Sequence, residues 1–116
     1  MNSLCALLGL TPGPVLDSDE LRGVAVATLM ESCDVAAALG VEVDRDGLMK
    51  TLQHVRREHR HHKPSMLVDF LASRPTEIDS LNGVVVALGA AQGVATPRNQ
   101  TLLALVHARE ARYSED

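Results

Sequence analysis

The stretch from Ser65 to Glu77 joins a serine that could cap one helix to a glutamate in the next, and helix starts of this kind can hold an anion. Ser65 opens the run Ser65-Met66-Leu67-Val68-Asp69, and Glu77 follows within Thr76-Glu77-Ile78-Asp79. The pattern predicts that Ser65 caps a short helix and that Glu77 lies in the first turn of the next one. Helix N-termini carry unpaired N–H groups and partial positive charge, so a hydroxyl there adds a donor where an anion would settle. Each residue also has a plain structural role open to it: serine is a common cap, and a first-turn glutamate suits the helix dipole. Asn82-Gly83 suggests close packing against a neighbour, and Asn99 is expected to be structural.

A second group is His54, His59, His61 and His62, set among Arg56, Arg57, Glu58, Arg60 and Lys63. On a helix, His54, Glu58 and His61 fall near one face, which could hold zinc. The spacing matches no zinc signature such as His-Glu-x-x-His, and the flanking cations would repel a metal ion. A solvated basic helix end is the better reading, and no metal site is assigned. The same basic run could meet a phosphate, of nucleic acid or of a partner domain's cofactor. Nucleic acid is disfavoured by a net charge of -4 and by an aromatic content limited to Phe70 and Tyr113.

The elements that must position these residues all read as helices. Asn2 to Leu8 is a short helix closed by Gly9, and Thr11-Pro12-Gly13-Pro14 is expected to be a loop, since prolines and glycine break regular structure. Asp17 with Glu20 resembles a capping box, opening a helix that carries Leu21, Val24, Thr28, Met30, Val35 and Leu39 and ends at Gly40. Asp44 caps a helix to about His59 with Leu48, Leu52 and Val55 as its inner stripe. Ser65 opens a helix through Ala72. Pro75 or Thr76 begins a longer one, with Ile78, Leu81, Val85 and Leu88 on one face. Thr96-Pro97 starts the last, lined by Leu102, Leu105 and Val106. No alternating strand pattern occurs.

At 116 residues, with 46% apolar and 22% charged residues, the chain has the size and composition of one globular domain. A core of Leu, Val, Ala and Met suits helix-on-helix packing. Cys5 and Cys33 fit no metal or redox motif and point to free thiols in a reducing cytoplasm. No apolar run approaches the ~20 residues of a membrane span, and no signal peptide is recognisable.

Taken together, these motifs resemble the C-terminal, substrate-binding domain of ketopantoate reductases (2-dehydropantoate 2-reductases). The family's Ser-Met-Leu-Gln-Asp element is matched from Ser65 to Asp69 except at Val68. Its Thr-Glu-Ile-Asp…Asn-Gly element is matched at Thr76-Glu77-Ile78-Asp79 and Asn82-Gly83, and its Pro-x-Asn element at Pro97-Arg98-Asn99. Asn2-Ser3-Leu4-Cys5-Ala6-Leu7 is similar to the family's Asn-Pro-Leu-Thr-Ala-Leu segment. The resemblance implies that Ser65 binds the substrate's carboxylate, that Asn2 binds its hydroxyl, and that Glu77 orients a catalytic lysine. In the family that lysine protonates the carbonyl oxygen while NADPH delivers hydride.

The family's lysine lies about two helical turns before the asparagine matched by Asn2 and so has no counterpart here. Lys50 and Lys63 sit in neither motif, and no Gly-x-Gly-x-x-Gly fingerprint is present. The expectation is one all-α domain over residues 1–116, of five or six helices, truncated at its N-terminus relative to the family. It would bind no cofactor alone and be inactive alone, with NADPH and a small 2-oxo acid belonging to the complete enzyme. A homodimer, or a separate Rossmann-type NADP-binding domain, would cover the apolar surface left by truncation. The alternative is a non-catalytic helical module whose remaining property is self-association.

Overall fold

The computed structural model describes residues 1–113, and among them every regular element is helical. The helices are α1 (Asn2–Leu8), α2 (Pro12–Asp17), α3 (Asp19–Ala38), α4 (Arg45–Glu58), α5 (Ser65–Leu71), α6 (Asn82–Gln92) and α7 (Pro97–Ala111), with a 3₁₀ turn at Ile78–Ser80 before α6. The all-α expectation holds, with more helices than the sequence pattern predicted. The shortest dimension is 20 Å, which is two layers of helices about 10 Å across.

Helices α1 and α7 form the spine, because each contributes to both apolar clusters. One cluster joins Leu4, Cys5, Val15, Leu16, Ala25 and Leu102, and the other joins Ala6, Met66, Phe70, Ile78 and Val106. Helix α3 packs on α6 and α7, and α2 bridges α3 and α4. The residues at the margins are less buried than their spacing suggested. Val24, Leu39, Leu81, Leu88 and Leu105 are exposed, and Leu48, Leu52 and Val55 are only partly covered. Helix α4 packs mainly on α2, so its apolar stripe is covered on one flank only.

Three local expectations are corrected. Thr11 to Pro14 does not form a loop throughout: Pro12 is the first residue of α2, and Pro14 lies within its first turn. N–H groups in a first turn have no intrahelical partner, so two prolines there forfeit no hydrogen bond. Gly13 lets this turn approach the end of α4, donating its N–H to the Arg60 carbonyl at 2.9 Å; a Cβ at Gly13 would lie 2.7 Å from Arg60 Cβ. Next, Ser18 and not Asp17 caps α3, accepting the N–H of Leu21 at 3.2 Å. Asp17 instead receives Arg56 Nε at 2.9 Å and an Arg60 amino nitrogen at 2.7 Å. Those two arginines hold its carboxyl well below the usual range, at about 2, with Arg60 the larger cause. Finally, the helix expected from Pro75 or Thr76 is split at Leu81, whose φ of −107° and ψ of −93° are not helical.

Candidate functional site

Ser65 is the first residue of α5 and is exposed, and the residue in the cap position is Pro64, so the hydroxyl makes no cap bond. Pro64 serves there through its backbone, its carbonyl accepting the N–H of Val68 at 3.1 Å. Asn2 opens α1 and is half-buried. Glu77 is exposed and precedes the 3₁₀ turn instead of sitting in a long helix, and its carbonyl accepts the N–H groups of Ser80 at 2.9 Å and Leu81 at 3.1 Å. The turn arises because Thr76 Oγ1 accepts the N–H of Ile78 at 3.3 Å, a local bond that competes with helix.

These three residues lie on different elements, yet one apolar cluster underlies them. Met66 follows Ser65, Ile78 follows Glu77, and Ala6 lies one helical turn beyond Asn2; all three are buried in that cluster. Helix α1 packs directly against α5, which carries Asn2 and Ser65 on neighbouring helices, while the 3₁₀ turn packs on α6 and α7. Two side-chain bonds fasten the Glu77 segment to α7. Thr76 Oγ1 donates to Glu110 Oε1 at 2.6 Å, and His107 Nε2 lies 2.8 Å from Asp79 Oδ1.

A second polar centre escaped the sequence reading. Glu31 of α3 is 7% exposed and accepts the backbone N–H groups of Arg98 and Asn99, each at 3.0 Å. The Asn99 side-chain amide donates to Glu31 Oε1 at 2.9 Å and to the Thr28 carbonyl at 3.2 Å, and its oxygen accepts from Asn82 Nδ2 at 2.9 Å. Asn99 is thus structural, and Asn82 begins α6 instead of lying inside a helix. A cleft of about 270 Å³ opens beside this network between α3 and α6, its lining including Met1, Thr28, Ser32, Leu81, Asn82 and Asn99. Ser65, Asn2 and Glu77 do not line it. The signal for Glu31 was a carboxylate sharing the helical face of Thr28 and Val35, a stripe that is otherwise buried.

Other candidate groups are engaged structurally. Of the basic run, Arg56 and Arg60 are committed to Asp17, and the rings of His54 and His59 stand edge to face at 5.2 Å. Among the described residues no group of three or more His, Cys, Asp or Glu could hold a metal ion. Cys5 and Cys33 are buried free thiols, and burial pushes the Cys5 thiol up, away from the thiolate that reactive cysteines need. No helix among the described residues is long and apolar enough to cross a membrane.

The family described as "Ketopantoate reductase PanE/ApbA C terminal" matches residues 1–110. The chain belongs to this family. It is 37% identical to the 2-dehydropantoate 2-reductase of Pyrobaculum aerophilum over 96% of its own length and 39% of that protein. The crystal structure of 2-dehydropantoate 2-reductase from Methylococcus capsulatus overlays with a TM-score of 0.89 at 32% identity, covering 100% of this chain and 40% of that one. D-mandelate dehydrogenase, in its ternary structure with NADH and anilino(oxo)acetate, overlays with a TM-score of 0.91 at 30% identity, covering 98% of this chain and 48% of that one. The chain therefore spans less than half the length of these relatives, and the part it matches is the ketopantoate reductase C-terminal domain.

Proposed function

We propose that residues 1–116 form one domain, the substrate-holding part of a ketopantoate reductase, which reduces ketopantoate to pantoate in the cytoplasm when joined to a nucleotide-binding domain. Ser65 would donate to the substrate carboxylate, Asn2 would bind its hydroxyl, and Glu77 would orient a lysine supplied from outside this chain. The observation that carries this reading is the apolar cluster of Ala6, Met66 and Ile78, which gives the three residues one common support. NADPH is assigned to the partner domain. Among the described residues there is no strand, hence no strand-turn-helix unit of the kind that cradles a pyrophosphate. In this reading the chain contributes binding and orientation: the Glu77 carboxylate, an exposed hydroxyl and an amide.

The test is to supply the NADPH-binding part of the Pyrobaculum aerophilum relative and follow NADPH oxidation with ketopantoate. The expected result is turnover that needs both chains and falls on the order of 10²-fold in Glu77→Gln, as for loss of a group that orients a general acid. Turnover unaffected by Glu77→Gln would overturn the role given to that residue.

Helix α6 favours a second reading, self-association. Its sequence from Asn82 to Gln92 has no charged residue, yet Val84 and Leu88 are exposed, as is the preceding Leu81. A helix apolar around most of its circumference is normally covered. We propose a second copy or the nucleotide-binding domain as its cover. Sedimentation of the wild type and of Leu88→Glu decides this: a dimer converted to monomer supports the homodimer, and a monomer in both opposes it.

A further inference from the structure

We propose that Thr76 and Glu110, assisted by Asp79 and His107, are positioning residues that set the bearing of the Glu77 carboxylate. This rests on the reading of Glu77 as the partner of a lysine. The two contacts flank Glu77 in sequence, one at the residue before it and one two residues after it. Their partners on α7, His107 and Glu110, stand one helical turn apart on the same face. Between them Ile78 is 0% exposed, so the segment is nailed down by its apolar residue while Glu77 itself stays in solvent.

Thr76 carries most of this. Its hydroxyl donates to the Glu110 carboxylate and accepts from the Ile78 N–H, so it satisfies a donor of the turn and ties that turn to α7 at once. The His107–Asp79 contact is more exposed and contributes less. Holding a charged group in a short turn needs such outside bonds, because a three-residue 3₁₀ turn has few of its own. Glu77 is fixed through its backbone, and the amides of Ser80 and Leu81 report directly on that placement because both donate to the Glu77 carbonyl.

The experiment is amide hydrogen exchange by NMR on the full chain, with amides of α3 as the internal standard. Thr76→Val should speed exchange at Ser80 and Leu81 about tenfold while α3 is unchanged, and Thr76→Ser and Glu110→Gln should stay within about twofold, since hydroxyl and acceptor remain. Unchanged exchange at Ser80 and Leu81 in Thr76→Val overturns the proposal. So does equal acceleration in Thr76→Val and Thr76→Ser. With the NADPH-binding part of the Pyrobaculum aerophilum relative supplied, Thr76→Val should lower kcat and leave KM in place, and Thr76→Ser should restore kcat. A rate insensitive to Glu77→Gln, beside accelerated exchange in Thr76→Val, would sink the lysine-partner reading and leave the fastening of the turn intact.

Discussion

Glu31 on α3 caps α7, its carboxylate accepting the backbone N–H of Asn99 at 3.0 Å and that of Arg98 at the same distance. The residue in the cap position, Thr96, makes no side-chain cap bond and is instead buried with its methyl group against Gly89. A carboxylate at a helix N-terminus gains from the dipole and from charge-assisted bonds, and burial of the site strengthens both. Glu31→Ala would strand two backbone donors and leave the Asn99 amide with only its bond to the Thr28 carbonyl. The expected cost is about 3 kcal/mol, or roughly 10 °C in Tm, against about half of that for Glu31→Gln, which keeps one acceptor. Thermal unfolding of the three proteins checks this, and a Glu31→Ala shift under a few degrees would contradict it.

Two glycines should respond to alanine with opposite signs. Gly23 lies in α3 with nothing within 4 Å of a built Cβ, so Gly23→Ala gains only the propensity difference and should stabilise by about 0.5–1 kcal/mol. At Gly89 in α6 the Cβ would meet Thr96 Cγ2 at 2.8 Å, the Val94 carbonyl oxygen at 2.9 Å and Val35 Cγ2 at 3.3 Å. The carbonyl cannot move without shifting the turn that leads to α7. Gly89→Ala should therefore destabilise by about 1–3 kcal/mol, overpacking outweighing propensity. Denaturant midpoints of the two variants, read against wild type, decide the signs.

The sequence made the helices legible wherever a local signal set their ends. Asp44 does cap α4, accepting the N–H of Gly47 at 2.9 Å, and Pro97 does open α7. Gly9 closes α1 with a φ of 67°, the left-handed conformation expected of such a cap. What was not legible depended on partners distant in the chain. Asp17 looked like a cap until Arg56 and Arg60 folded beside it. Glu31 looked like any helix glutamate until Asn99 arrived. The Glu77 segment read as continuous helix because the period of Ile78, Leu81, Val85 and Leu88 is helical, whereas Thr76 bonding and the α7 contacts break it at Leu81. The site residues themselves became visible through family motifs, since serine, asparagine and glutamate at helix ends are common for structural reasons alone.

The Asp17 fork predicts an acid-side dependence of stability. The folded carboxyl titrates at about 2, below the ordinary value of 3.8 that applies when the chain is unfolded. A depressed folded value gives stability that is present above the unfolded value and lost as pH falls toward the folded one. The difference in Tm between wild type and Asp17→Asn should therefore be level through neutral pH, begin to shrink between pH 5 and pH 4 and vanish only below pH 2. High salt should reduce it throughout, because the group is exposed and screened. A difference that grows on acidification would contradict the assignment.

Two serines, both placed at helix starts, should separate stability from function. Ser18 caps α3 through the Leu21 N–H, so Ser18→Ala should cost about 1 kcal/mol. Ser65 is exposed at the first position of α5 and makes no cap bond, so Ser65→Ala should leave unfolding within about 0.5 kcal/mol of wild type. If Ser65 donates to the substrate carboxylate, its removal deletes a bond to a charged acceptor, worth about 1.5 kcal/mol or more, and should raise KM for ketopantoate about tenfold or more in the two-chain assay. Ser18→Ala should leave that KM unchanged. Helix stability and substrate affinity thus fall on different serines, which thermal unfolding and saturation kinetics on the same pair of variants can read independently. A Ser65→Ala protein that loses stability and keeps its KM would return this serine to the role of an ordinary helix-end residue.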